Sequence, residues 1–222
     1  MRAPRSPGEA AAAGYRPVER WDVGDVLLFV RRELGERTYW LVGHAALLAA
    51  LAALGAVVGY REVVGGARLF GDIALPLAGG FALMALAVVP HELIHGLAYR
   101  AVGARSVTYG ADWRRLVFLA SAPGFVLDYR RLRVVALAPF AVITALLAAW
   151  LSLAAGPEWW AGYGLLLVHT QGCLGDAAML NAFARRVDPA AWLTYDDPEA
   201  PEFVFLKRGA GAPDEEEGAT RP

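Results

Sequence analysis

The chain has 222 residues, 57% of them hydrophobic and 19% charged, with a net charge of −1 and a mean hydropathy of +0.38. That charged fraction lies below the roughly 25% of soluble domains, and a net charge near zero excludes the basic field that nucleic-acid binding requires. The single cysteine, Cys173, excludes an intrachain disulfide framework.

Residues 1–37 carry seven arginines and no apolar stretch of signal-peptide length. Within them "WDVGDVLLFVRRELG" alternates apolar and charged positions at helical spacing. This predicts a short helix, lying on a membrane surface or packed on a cytoplasmic loop. Four runs then lack any charge: residues 38–60, 73–90, 134–157 and 159–175. A bilayer core of about 30 Å needs about 20 helical residues, and each run reaches about 17 with its flanks. The expectation is an all-α integral membrane protein with four transmembrane helices over residues 38–187.

Arginine and lysine cluster in residues 1–37, in the second connection (Arg100, Arg105, Arg114, Arg115, Arg130, Arg131, Arg133) and in the tail, and are sparse or absent in the other two connections. This bias predicts that both termini and the second connection are cytoplasmic. That connection contains "SVTYGADWRRLVFLASAPG", two β-prone runs that predict a cytoplasmic β-hairpin between helices two and three. Residues 188–222 read as a cytoplasmic tail, polar enough to be disordered after about residue 209.

The second run ends in "AVVPHELIHGLAYR". His91, Glu92 and His95 form H-E-x-x-H, which on a helix puts both imidazoles on one face. Two imidazoles and one more ligand suit a zinc ion with an open position for water, and Glu92 is placed to take the proton of that water. Pro90 predicts a kink or a fresh helix start just before His91.

Depth suggests the third ligand. His91 lies nine residues before Arg100, and Asp176 nine residues before Arg185 in "LLLVHTQGCLGDAAMLNAFARR". At 1.5 Å per residue both sit at nearly one level in the membrane. Asp176 is therefore the first choice, His169 the second, as ligand or supporting contact, and Cys173 the last. His44 reads as an interfacial histidine.

"VVPHELIHGLAYR", "ALAPFAVITALL" and "GCLGDAAMLNAFARR" resemble the zincin-peptidase family of small bacterial and archaeal membrane proteins, over roughly residues 40–208. That family is in turn similar in arrangement to site-2 proteases, intramembrane zinc metalloproteases. The resemblance implies His91, His95 and Asp176 as Zn2+ ligands and Glu92 as general base. Leu174, Gly175 and Asp176 depart from the Leu-Asp-Gly order of site-2 proteases, and no PDZ module is fused to the chain. The combined expectation is an intramembrane metallopeptidase of a prokaryotic plasma membrane, cutting membrane-protein or peptide substrates near the cytoplasmic interface. Two rivals share the residues: a non-catalytic zinc-binding membrane protein, and a polar-lined transporter using His169, Asp176 and His91 as a relay.

Overall fold

The structure is a computed structural model that describes residues 3–112 and 117–209. Ser6 caps α1 (Pro7–Ala12) by accepting the N–H of Glu9, and β1 (Tyr15–Asp22) follows. Next come α2 (Val26–Glu33) and the long α3 (Tyr39–Val64), whose first turn is capped by Thr38. A π-turn over Leu69–Ala74 leads into α4 (Leu75–Ala82), and α5 (Met84–Ala101) carries the H-E-x-x-H residues. Strands β2 (Thr108–Asp112), β3 (Val117–Ser121) and β4 (Leu127–Asp128) precede α6 (Tyr129–Leu153). The chain continues through α7 (Pro157–Gly172), α8 (Leu174–Ala184), β5 (Trp192–Asp196) and β6 (Glu202–Arg208).

The expected all-α architecture with four spanning helices and one hairpin is not the one adopted. Two of the described helices, α3 and α6, are long and apolar enough to cross a membrane, with mean hydropathies of 2.2 and 2.4. A third is reached only if Leu69–Ala82 and Met84–Ala101, bent by 43° at Leu83, count as one span. The run at 159–175 is not one span: it breaks at Cys173 into α7 and α8. Their apolar surface is covered by protein, with Trp160, Tyr163, Leu166, Ala178, Leu180 and Phe183 all buried. A charge-free run reports only that a segment avoids water; a bundle interior satisfies that as well as lipid does. Nor is the helix renewed at Pro90. It continues through this proline, and the break lies seven residues earlier.

The chain also forms two antiparallel sheets. β2 and β3 pair as a hairpin, Thr108 opposite Ser121, with residues 113–116 outside the described set. The second sheet has strand order β1-β6-β5-β4 and joins the N-terminal segment to the C-terminal one, Tyr15 opposite Arg208 and Asp22 opposite Glu202. The β1–β6 register slips between Pro17 and Glu19, where a proline without an N–H cannot keep a regular ladder. β6 is buried on both faces. Phe203 and Phe205 pack with Phe29 and Phe183, while Val204 and Leu206 join Ala10, Val126 and Leu193. The segment expected to be disordered after about 209 lies outside the described residues.

One polar lock fixes α8. Glu33, fully buried at the end of α2, receives both prongs of Arg185 at 2.9 and 3.0 Å. Asn181 donates to the Glu33 carboxylate (3.0 Å) and to the Glu36 carbonyl (2.8 Å), and accepts the Thr38 N–H at 2.7 Å. A buried carboxylate is tolerable only with such a full set of donors. The set ties α8, which carries Asp176, to the start of α3.

Candidate metal centre

His91 and His95 share the inward face of α5, with Nε2 atoms 3.2 Å apart. The remaining nitrogen of each ring is engaged elsewhere. His95 Nδ1 lies 3.0 Å from the carbonyl oxygen of Val135 on α6. In a regular helix that carbonyl accepts the N–H of residue 139, but residue 139 is a proline inside α6. Pro139 thus frees the acceptor that orients His95. His91 Nδ1 lies 3.4 Å from His169 Nε2 on α7. With Nδ1–H donating in both rings, each Nε2 presents a bare lone pair.

Asp176 completes the group, one oxygen 3.3 Å from His95 Nε2 and the other 3.6 Å from His91 Nε2. Two imidazole nitrogens and two carboxylate oxygens face one another at 3.2–3.6 Å, an arrangement that a proton or a metal cation among them relieves. Two ligands bound about 2.0–2.2 Å from one tetrahedral ion stand about 3.3–3.6 Å apart. The donor set fits zinc in both chemistry and spacing.

His169 and Cys173 form a second group against the other side of His91, with Cys173 Sγ 3.8 Å from His169 Nε2. A neutral imidazole has one lone pair, so His91 cannot serve an ion on both sides. His169 Nδ1 is buried without a partner among the described residues. His44 lies apart from both groups, in the wall of a neighbouring cavity of about 330 Å³ that also touches Cys173 and Asp176.

Glu92 follows His91 on α5 and accepts the backbone N–H of Ala120 on β3 at 2.6 Å. Two residues on, hence along the same strand edge, the N–H of Ala122 is accepted by Asp196 at 3.1 Å. The β3 edge away from β2 is therefore covered by two carboxylates. Burial pushes the Asp196 carboxyl up to about 6, against the pull of the Ala122 N–H. His91, Glu92, His95, Ala120, Asp176 and Asp196 line one cavity of about 280 Å³, whose apolar wall includes Phe29, Phe125 and Phe203.

The structure thus brings together His91, Glu92, His95 and Asp176, as the spacing and depth of the sequence suggest. Val135, Pro139 and Asp196 escaped that reading. The proline in "ALAPFAV" was a visible signal, since it always leaves a carbonyl free, but the taker of that carbonyl comes from another helix.

Residues 84–190 match the sequence model of the family described as "Putative zincin peptidase". No curated protein and no solved structure matches the chain. Zincins are zinc peptidases, so the family and the donor set agree on the metal.

Proposed function

From a chain whose residues 84–190 match the zincin-peptidase family, we propose a membrane-embedded zinc metallopeptidase in which His91, His95 and Asp176 hold the ion and Glu92 is the general base. The observation that carries this is the convergence of two imidazole nitrogens and the Asp176 carboxylate, with contacts of 3.2–3.6 Å, beside a carboxylate that neither structural ion pairing nor a helix cap explains. Bound zinc supplies Lewis acidity and brings the pKa of water to about 7. Glu92 takes the proton of the attacking water and returns it to the departing amine. His95, oriented by Val135, and His91, oriented by His169, keep their ring planes fixed while this happens.

The substrate is an extended stretch of a membrane protein, because a helical peptide bond is shielded from attack. The outer edge of β3 is where it lies down, by strand addition. An incoming carbonyl that takes the Ala120 N–H releases Glu92 from its bond to β3 and makes it available as a base, so binding and base release are one event. The sheet supports an orientation in the membrane. β1, β4 and β5–β6 come from the three arginine-rich segments and gather them at one end of the helices. The charge bias makes that end cytoplasmic, in a prokaryotic plasma membrane.

Glu92→Gln is expected to keep about one zinc per chain and to lose cleavage by at least about 100-fold, while His91→Ala loses the zinc. In a host strain, Glu92→Gln should accumulate an uncut membrane-protein precursor, read by comparing membrane proteomes. Cleavage retained by a zinc-loaded Glu92→Gln protein ends the assignment.

A further inference from the structure

Cys173 has no part in the zinc site or the base, yet it is buried in a group with His91 and His169. It lies four residues after His169, where α7 gives way to α8, and its N–H donates to the His169 carbonyl at 3.1 Å. This closed turn sets both side chains on one face. Cys173 Sγ stands 3.8 Å from His169 Nε2, and His169 Nε2 stands 3.4 Å from His91 Nδ1. One ligand atom from each of the three residues lies within 4.8 Å of the others.

These spacings are those of a three-coordinate ion. Two nitrogens bound at about 2.0 Å and a sulfur at about 2.3 Å, with about 120° between bonds, put nitrogen about 3.5 Å from nitrogen and about 3.7 Å from sulfur. Hydrogen bonding uses the trio less fully. With His91 Nε2 on zinc, its Nδ1–H takes the single lone pair of His169 Nε2, and the Cys173 thiol finds no acceptor at that atom.

Softness and charge select the ion. A thiolate beside imidazoles favours copper over the hard cations that take oxygen. All three residues are at most 8% exposed, and no carboxylate is among them. One thiolate neutralises a monovalent ion there, whereas a divalent ion would keep a net buried charge. Cys173 also lines the cavity of about 330 Å³ walled by α3, α6 and α8, which opens a route to the sulfur apart from the cavity of Glu92.

We propose that His91 Nδ1, His169 Nε2 and Cys173 Sγ form a second ion site, one that takes monovalent copper and, by occupying His91, excludes zinc from the first. The exclusion rests on the zinc assignment proposed above; the copper site does not. As the copper–sulfur bond forms, the thiol proton leaves to water. The His91 proton moves from Nδ1 to Nε2, so the zinc site loses a lone pair. No oxidation state changes.

The test uses the full-length protein in detergent micelles, stripped of metal and titrated anaerobically with Cu(I) against bicinchoninate. Wild type is expected to take about one copper per chain, with one sulfur and two nitrogens around it by X-ray absorption at the copper edge. Cys173→Ser should keep its zinc and lower copper affinity by at least about 100-fold, the upper end for loss of a merely supporting group. Asp176→Asn should do the reverse, losing zinc and keeping copper. Cu(I) added to zinc-loaded wild type should release the zinc to a fluorescent indicator, and should release none from Cys173→Ser. Unchanged copper affinity in Cys173→Ser, or a copper edge without sulfur, overturns the proposal, and so do zinc and copper bound together on one chain. The two readings fail separately. A protein that takes no zinc but binds copper through Cys173 removes the peptidase and leaves this site. Intact zinc binding with no uptake of copper removes this site and leaves the peptidase.

Discussion

Helices α3 and α7 each derive from a long charge-free run with one histidine and several glycines, yet they face different surroundings. On α3 only Leu41 and Gly55 are buried, and Val42, Leu54, Val57, Val63 and Val64 turn outward. On α7 seven residues are buried, Trp160, Gly162, Tyr163, Gly164, Leu166, His169 and Thr170. The cause is close packing against α4. A Cβ on Gly164 would run into the carbonyl oxygen of Leu77, and one on Gly80 into that of Ala161. Backbones meet where side chains are absent, as in small-residue contacts between membrane helices. Two runs of similar polarity thus become an outer wall and an inner post, and of their two histidines it is the post's that meets His91.

The largest expected effect breaks this contrast at the glycines. Gly164→Leu forces a side chain into backbone that cannot move aside, at a cost of about 3 kcal/mol or more, the upper end for overpacking. A Cβ at Gly43 on α3 meets nothing within 4 Å, and Gly43→Leu should stay within about 0.5 kcal/mol of wild type. Thermal unfolding in detergent reads both, and equal destabilisation would erase the distinction between wall and post. The next effect concerns the histidines. His169→Ala removes the acceptor for His91 Nδ1 and should weaken zinc binding by about 10- to 100-fold. His44→Ala on α3 should leave it unchanged, as measured by competition with a chelator. The smallest lies where the two helices touch. The Tyr163 hydroxyl donates to the Leu51 carbonyl at 2.6 Å, and Gly55 makes room for the ring. Tyr163→Phe should lose about 1 kcal/mol, with zinc content intact.

Much of the centre was legible because its chemistry is local. The i, i+4 spacing of His91 and His95 needs only a helix, and the matching depths of His91 and Asp176 need only two helices entering from the same side. The supports were not legible. Val135 meets His95 across 40 residues of chain, Ala120 meets Glu92 across 28, and Asp196 meets Ala122 across 74. The fold divides in the same way. The β2–β3 hairpin lies within one short stretch of β-prone sequence, whereas β1 pairs with β6 at the far end of the chain and has a burial pattern too irregular to announce a strand. Asn181 likewise meets Glu33 across 148 residues of chain.

The amino-acid order by itself determined that the chain avoids water over long stretches and that one helix face carries two imidazoles and an adjacent carboxylate, since both follow from residue type and helical period. Tertiary structure alone decided which apolar runs face outward and which are enclosed, because hydropathy is the same for lipid and for protein. It also decided which carbonyl and which carboxylates stand beside the two imidazoles, because those contacts depend on how distant segments are brought into register.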